Sequence, residues 1–266
     1  MAHPARSEFV DLILPLHDRL KLYDRTKPPY DQPTNDATDP ARAVPESFID
    51  AMRVRHSVYV EEQGVPIERE LDDSDPRSFH WVAYASVYKK RASTDGDAEE
   101  EKLDHNKRRK SSSTKMPIGT IRIVPPPHPP HPNGKEDTAV QSSNESFIEL
   151  GELAVIPEYR KVGISKLLIE TALAFVRDHL DDILPRYDPK VTESMRYHGT
   201  MAKEFKGLVL VHAQIGVQKV WRRFGFETDE SMGTWDEEGR EHVGMWKRVD
   251  VKKGRRESKI VLDGTL

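Results

Sequence analysis

The chain has 266 residues and no cysteine among them. Disulfides, a thiolate nucleophile, an acyl-cysteine intermediate and thiolate metal sites are therefore excluded. The sequence also lacks any apolar run near the roughly 18 residues that a membrane-spanning helix needs. The segment FVDLILPLH near the N-terminus is short and is interrupted by Asp11 and Pro15. We therefore expect neither a signal peptide nor a membrane anchor.

A strong charge of one sign is also missing. The net charge is -4, and acidic and basic residues are mixed along most of the chain, so the charge does not indicate a nucleic-acid partner. Charged residues make up 32% of the chain, and the mean hydropathy is -0.70. These values are typical of a soluble protein that contains disordered segments.

Low-complexity segments divide the chain. Residues 1–43 contain a predicted helix around Phe9 to Tyr23 and a Pro-rich linker, residues 44–250 form the predicted domain, and residues 251–266 form a tail. Within the domain we predict disordered insertions at about 89–116, 125–146 and 185–206, because these segments have few large apolar residues. The first insertion separates two strands, HWVAYASVY and PIGTIRIV, which are expected to form an antiparallel hairpin.

Two features of the insertions could carry a function. The basic cluster Lys107 to Lys110 could serve nuclear import or phosphorylation-dependent regulation, and a solvated loop is the alternative. We therefore expect a cytoplasmic location, with the nucleus as the second candidate. His128 and His131 lie in PPPHPPHP without a carboxylate cluster nearby in the sequence, so a metal site is not expected there.

A strand, a tight turn and a helix follow one another in IELGELAVIPEYRKVGISKLLIE, residues 148–170. The apolar run reads as a strand that Pro157 ends, and apolar residues recur at helical spacing after Gly163. The turn holds Arg160, Lys161 and Ser165. Backbone N–H groups at a helix N-terminus lack intrahelical partners and carry partial positive charge. A glycine beside cations at this place suits a pyrophosphate.

The segment PEYRKVGIS resembles the pyrophosphate-binding loop of the GNAT superfamily of acyl-CoA N-acyltransferases. Arg160 and Gly163 match the family pattern, whereas Ser165 stands where the family has glycine or alanine. The preceding LAVIP resembles the family's fourth strand. Downstream, LVLVHAQ and GVQKVWRRFGFE resemble the fifth strand and the helix after it.

A third match, from Arg53 to Tyr84, resembles the ElaA-like branch of the superfamily. The residues that carry it are Arg55, Tyr59, Glu62, Gln63, Asp72, Asp75 and His80. The segment GREHVGMWKRV resembles the last strand of that branch. Together the matches cover residues 48–250, interrupted by the insertions.

The resemblance implies an α/β GNAT fold, in which a mixed, mostly antiparallel central sheet is splayed between two parallel strands and flanked by helices. It implies an N-acetyltransferase that transfers an acetyl group from acetyl-CoA directly to a primary amine of a small molecule or peptide, without a metal. The resemblance leaves the oligomeric state open, with a homodimer as one possibility. The resemblance assigns cofactor binding to Leu153, Ala154, Val155, Arg160, Lys161, Val162, Gly163, Ile164, Ser165, Lys166 and Trp221. It assigns substrate binding to Arg55, Tyr59, Gln63 and His80.

Direct transfer needs a base, because a free alkylammonium has a pKa near 10.4. Glu149 is our first candidate and Glu152 the second. Their odd separation on a regular strand predicts that they point to opposite faces. Backbone N–H groups near Leu153 to Val155 would hold the oxyanion.

The leaving thiolate has no evident proton donor, because Trp221 stands where many relatives have a tyrosine, and an indole N–H is not an acid near neutrality. Tyr159 is a further candidate for this role. This departure keeps an alternative open, in which the chain is a GNAT-fold sensor or interaction protein that binds acyl-CoA with weak catalysis or none.

Overall fold

The structure is a computed structural model that describes residues 9–32, 43–88, 113–129, 131, 145–184 and 204–251. The strands are β1 Val10–Ile13, β2 Phe79–Tyr88, β3 Ser113–Val124, β4 Glu145–Val155, β5 Glu204–Gln214, β6 Glu227–Thr228, β7 Thr234–Glu237 and β8 Arg240–Arg248. The α-helices are α1 Glu46–Arg55, α2 Ile67–Glu70, α3 Ile164–Asp178, α4 Leu180–Ile183 and α5 Gln218–Arg222. A π-helical segment, His56–Glu62, continues α1.

The strands form one sheet in the order β1-β2-β3-β4-β5-β8-β6, with β7 on β8. All pairs are antiparallel except β4 and β5. The β4–β5 pairing ends at Glu149 opposite Leu210, although the strands continue to Val155 and Gln214. The two strands therefore separate and leave a cleft between their carboxyl ends. This confirms the predicted α/β class and the splayed, mostly antiparallel sheet.

A β-bulge lies in β4 at the cleft. Arg122 pairs with Gly151, and Thr120 pairs with Ala154, so β4 has one more residue than β3 over this step. Glu152 occupies the bulge and has a φ of 49°. The extra residue shifts the alternation of side chains along β4 by one position. The side chains of Glu149 and Glu152 therefore both line the cleft. The prediction that they point to opposite faces is therefore wrong, because it assumed a regular strand.

Helix α3 covers one face of the sheet. It begins after Gly163, whose φ of 97° is a conformation that a Cβ disfavours. Leu168, Ile169, Ala172, Phe175 and Val176 of this helix are buried. They join the main core with residues from β2 to β5. Leu167, which we placed on the apolar face, is 39% exposed.

Helix α1 covers the other face over a second core, which contains Phe48, Ile49 and Met52. The N-terminal segment completes this core, but not as the predicted helix around Phe9 to Tyr23. Val10–Ile13 pairs with β2, and a short 3₁₀ helix spans His17–Leu22. A helix through this segment would place Pro15 in its interior, where proline removes a hydrogen bond and clashes with the preceding turn. The open edge of β2 offers partners instead.

The predicted hairpin of two strands is confirmed, because β2 and β3 pair from Phe79 opposite Ile123 to Tyr88 opposite Ser113. Strands β3, β4 and β5 begin at Ser113, Glu145 and Glu204, just inside the predicted insertions. Residues 125–129 and 131, also inside a predicted insertion, are described, and His128, Pro129 and His131 of this segment line the cleft. The rest of the insertions, the basic cluster at Lys107 to Lys110 and the tail beyond residue 251 lie outside the described residues.

Candidate active site

A cavity of about 770 Å³ occupies the cleft between β4 and β5. The turn before α3, the π-helical segment, α5 and the β7–β8 hairpin surround it. One part of its wall is the predicted cofactor segment, and another part carries carboxylates, histidines and aromatic rings. The cavity volume is in the range typical of small-molecule sites.

Most of the residues that the resemblance assigns to cofactor binding lie at the cavity. The predicted residues that line the cavity are Leu153, Ala154, Val155, Arg160, Lys161, Ile164, Ser165 and Trp221. Val162, Gly163 and Lys166 belong to the same turn and first helical turn but do not line the cavity. Trp221 is buried and packs edge-on against Phe226, with ring centroids 5.3 Å apart. The wall therefore combines an open strand edge, a helix N-terminus and cationic side chains.

Arg160 in the turn is already paired. Its Nη1 and Nη2 donate to the Glu62 carboxylate at 2.8 and 2.5 Å, and its Nε donates to the Val155 carbonyl at 2.9 Å. The hydrogen bond from Arg160 lowers the pKa of Glu62. The bidentate pair joins the π-helical segment to the turn across one side of the cavity.

A buried ion-pair cluster stands behind the carboxylates. Arg55 Nη1 and Arg122 Nη1 both donate to Asp75 Oδ1, at 2.8 and 2.7 Å. Arg55 also donates to the Glu70 carboxylate at 2.5 Å. Glu152 lies 3.5 Å from both guanidinium groups and is 24% exposed. The bulge in β4 thus places the Glu152 carboxylate at the cavity, with the Arg55 and Arg122 guanidinium groups behind it.

The cluster sets the protonation of its members. Burial raises the pKa of Glu152 to about 7, although Arg55 and Arg122 oppose that shift. Burial would also raise the pKa of Asp75, but the two guanidinium groups outweigh it and hold that pKa well below the usual range. Glu152 can therefore exchange a proton near neutral pH, whereas Asp75 is a permanent anion.

The four predicted substrate-binding residues divide into two pairs. Tyr59 and Gln63 line the cavity, and Gln63 accepts a hydrogen bond from Gln214 at 3.1 Å. Arg55 and His80 are each 1% exposed and lie behind the wall. Burial lowers the pKa of His80 to about 4, so it is a neutral ring packed on Phe48. This geometry gives Arg55 and His80 a positioning role, since their side chains do not line the cavity.

The acidic loop at 61–75 is less acidic in effect than its sequence suggests. Glu70 and Asp75 are neutralised by Arg55, Asp72 by Arg122, and Asp73 by Arg25. Arginines from other parts of the chain therefore pair with most of the carboxylates of this loop.

Sequence reasoning missed the histidine-rich part of the cavity. His128, His131, His212 and His242 all line it, together with Phe147. The Trp235 ring packs against His131 and His212, at centroid distances of 4.5 and 4.9 Å. A usable signal was present, because PPPHPPHP follows directly on β3 and precedes β4. Both strands end at this side of the cleft.

The residues that the structure describes contain no group of three or more His, Asp or Glu side chains that could hold a metal. In the same part of the chain, no helix is long and apolar enough to cross a membrane.

Several solved structures are similar to this chain. Escherichia coli ElaA is 16% identical, with 76% of this chain and 90% of ElaA covered and a TM-score of 0.41. An acyl-CoA N-acyltransferase from Pseudomonas aeruginosa is 16% identical at the same coverages, with a TM-score of 0.40. The CoA-dependent acyl-homoserine lactone synthase BjaI is 13% identical, with 91% and 83% covered and a TM-score of 0.42. Likeness at these levels carries no information on the substrate.

The sequence match to a family model is decisive. The model of the acetyltransferase (GNAT) family matches residues 50–187, which is more than half of the chain. The matched region includes the bulged strand β4, the turn at Arg160 and helix α3. The chain therefore belongs to the GNAT family of acetyltransferases.

Proposed function

We propose that this protein transfers the acetyl group of acetyl-CoA directly to a primary amine. The observation that carries the proposal is the shared cavity, where the cofactor segment and the carboxylates Glu149 and Glu152 line one volume of about 770 Å³. A donor thioester and an acceptor amine could thus meet without a covalent enzyme intermediate, and the cysteine-free chain offers no thiol for one.

The turn before α3 would take the pyrophosphate of the donor. Helix α3 has 15 residues, and its first N–H groups lie beside Arg160 and Lys161. The pyrophosphate would replace the Glu62 carboxylate on the Arg160 guanidinium, because both are oxyanions that suit its bidentate donors.

The free edge of β4 would hold the rest of the donor. Beyond Glu149 this strand pairs only with β3, through Ala154 and Val155, so its edge toward β5 is open for the pantetheine amides. N–H groups on that edge would bind the carbonyl oxygen of the thioester, where negative charge develops during attack.

Glu152 is the base in this proposal, and Glu149 binds the acceptor. A pKa of about 7 is suited to a general base at neutral pH. The ammonium gives its proton to Glu152, and the freed lone pair attacks the thioester carbon. A C–N bond forms, the C–S bond breaks, and the thiolate leaves. The nitrogen loses a second proton as the amide forms, and the thiolate takes up one proton. Tyr59 and Tyr159 are the phenols that line the cavity; either would donate its proton to the thiolate and recover one from the amide nitrogen.

The test is thiol release from acetyl-CoA in the presence of primary amines, amino sugars, polyamines and lysine peptides, followed with a thiol-reactive dye. The protein itself gives no background, because it has no cysteine. Amine-dependent release is the expected result. Tight acetyl-CoA binding without release for any amine would contradict the proposal and favour an acyl-CoA sensor, in which Trp221 replaces the usual tyrosine.

A further inference from the structure

His128 stands beside Glu149 in the cavity, and nothing in the family resemblance assigned it a role. It comes from the Pro-rich loop between β3 and β4, and its side chain is 6% exposed. A buried imidazole is costly unless its nitrogens have partners. The partners of its two nitrogens therefore indicate what the residue can do.

One nitrogen of His128 is satisfied. Nε2 lies 3.0 Å from the carbonyl oxygen of Phe147, and a carbonyl only accepts, so Nε2 carries the hydrogen. The ring also stacks on the Phe147 ring, with centroids 4.3 Å apart and planes 13° from parallel. These contacts fix both the tautomer and the orientation of the imidazole.

Among the residues that the structure describes, the other nitrogen has no hydrogen-bond partner. Nδ1 is buried and faces Glu149 Oε2 at 3.6 Å. Burial lowers the pKa of His128, with Glu149 and the Phe147 carbonyl opposing this shift and Arg77 and His212 adding to it, so the lowered pKa favours the neutral ring. A lone pair and a carboxylate then face each other, and neither group can donate.

A donor placed between them would satisfy both acceptors. His128 Nδ1 and Glu149 Oε2 are 3.6 Å apart, so a nitrogen placed beside the pair can lie about 2.8 Å from both atoms, a normal hydrogen-bond distance. A primary ammonium has three N–H donors, so it can bond both groups and retain one proton for transfer. Its charge is favoured by the Glu149 carboxylate. A neutral hydroxyl has one donor and can satisfy only one of the two acceptors.

We infer that His128 and Glu149 form the ammonium-binding subsite of the acceptor pocket, in which His128 is a positioning and specificity-determining residue that selects a primary amine. The inference rests on the proposed function for its chemical context. The rings of Phe147, His131 and His212 line the same part of the cavity, so benzylamine is a suitable probe and benzyl alcohol its uncharged counterpart.

The experiment uses the full chain with ¹⁵N-labelled histidine at pH 7, and His128 signals are assigned with His128→Phe. We expect the Nε2–H tautomer and a saturable shift of the Nδ1 signal with benzylamine, but not with benzyl alcohol at the same concentration. His128→Phe retains a stacking ring without a nitrogen and should weaken benzylamine binding about ten-fold or more, since a hydrogen bond to a charged group is lost.

His179→Phe is the matched control. His179 also stacks on a phenylalanine, Phe175, at 4.6 Å and 16°, but it lies at the end of α3 and does not line the cavity. Benzylamine binding should be unchanged in this variant.

Three results would overturn the inference: no benzylamine binding to the wild-type chain, equal binding of benzylamine and benzyl alcohol, or full affinity in His128→Phe. Thiol release measured in parallel separates this inference from the proposed function. Amine-dependent release with an unchanged KM in His128→Phe would refute the subsite alone. Benzylamine binding at Nδ1 without release for any amine would refute the proposed reaction alone.

Discussion

Glu152 has a left-handed backbone, with a φ of 49°, in a residue type that rarely adopts it. Such strain costs on the order of 1–3 kcal/mol and persists where the surrounding structure imposes it. Here the bulge imposes it, and the result is a carboxylate placed in the cavity beside two guanidinium groups. Backbone strain and a raised pKa at one residue are typical of a functional site.

The proposed base leads to a prediction for pH dependence. The pKa of Glu152 is raised to about 7, so its basic form accumulates as pH rises through 7, and kcat/KM should rise over the same range. Glu152→Gln should abolish this rise of kcat/KM with pH and lower amine-dependent kcat about 100-fold or more. The affinity for acetyl-CoA should be retained. The measurement is a pH profile of thiol release, together with calorimetric acetyl-CoA binding.

Glu149→Gln is the matched variant for that experiment. It should raise the KM for the amine while keeping the pH limb near 7, because it removes part of the ammonium subsite and leaves the base. If the limb disappears in Glu149→Gln and persists in Glu152→Gln, Glu149 is the base, as the sequence first suggested.

Asp75 should dominate the stability of the cluster. It is fully buried and accepts from both Arg55 and Arg122. Asp75→Asn would leave these cations without their shared anion, and we expect a loss of about 3–5 kcal/mol of unfolding free energy. The control is Asp73→Asn, since Asp73 is 97% exposed and pairs only with Arg25 among the described residues. This variant should change stability by about 1 kcal/mol or less.

The sign of the pH dependence of Asp75 follows from its lowered pKa. The stabilising effect of Asp75 is fully present at pH values above its pKa in the unfolded chain, about 3.9. It is lost as the pH falls through the lower pKa that Asp75 has in the folded protein. Glu152 titrates between pH 6 and pH 8 beside the same arginines, so the comparison is made in the Glu152→Gln background. Urea unfolding of Glu152→Gln and of the double variant with Asp75→Asn should differ by the same amount at pH 6 and pH 8. Equal stability of the two proteins at neutral pH would contradict the role given to Asp75.

Among the elements, β1 lies where the local sequence wrongly predicted a helix. Ile13 is 3% exposed and packs into the second core, whereas its neighbour Leu14 is 59% exposed. Ile13→Ala should lower the unfolding free energy by about 2–4 kcal/mol, because it leaves a cavity in that core. Leu14→Ala should be nearly neutral. Similar losses in both variants, measured by urea unfolding, would argue against the strand.

The contact between the π-helical segment and the turn before α3 should regulate donor affinity. Glu62 pairs with Arg160, and an exposed pair of this kind is worth at most about 1 kcal/mol. Glu62→Gln should therefore tighten CoA binding by up to about five-fold, because a guanidinium is released and an anion is removed. Arg160→Gln should weaken binding. Calorimetry with CoA would show both effects, and weaker binding in Glu62→Gln would contradict this competition.

At the scale of the whole molecule, the segment between β2 and β3 should be dispensable for the fold. The strands remain paired up to Tyr88 opposite Ser113, so a two-residue Asn-Gly turn can replace residues 89–112. A shorter connection reduces the entropic cost of closing the loop. We therefore expect the unfolding free energy to be unchanged or raised by up to about 2 kcal/mol. Thermal unfolding and thiol release would test this, and loss of either would show that the segment contributes to the domain.

The cofactor half of the site could be predicted from sequence because its signals are local. The strand, Pro157, the glycine turn and the amphipathic α3 follow one another within 148–170, and each has its own residue preference. The hairpin of β2 and β3 could be predicted for the same reason, whereas the splayed sheet with its parallel pair followed from the resemblance to the GNAT family. The sequence by itself thus determined the family and, through it, the fold.

The tertiary structure alone decided how Glu149, Glu152 and His128 are arranged in the cavity. The bulge in β4 exists through the register with β3, and it reverses the face that simple alternation gives Glu152. His128 meets Glu149 because its ring stacks on Phe147 of β4. Arg55, Arg122 and Asp75 meet from separate elements. β1 forms because β2 has an open edge. Each of these depends on contacts between residues far apart in the chain, whose energies exceed local preference and which no single segment encodes.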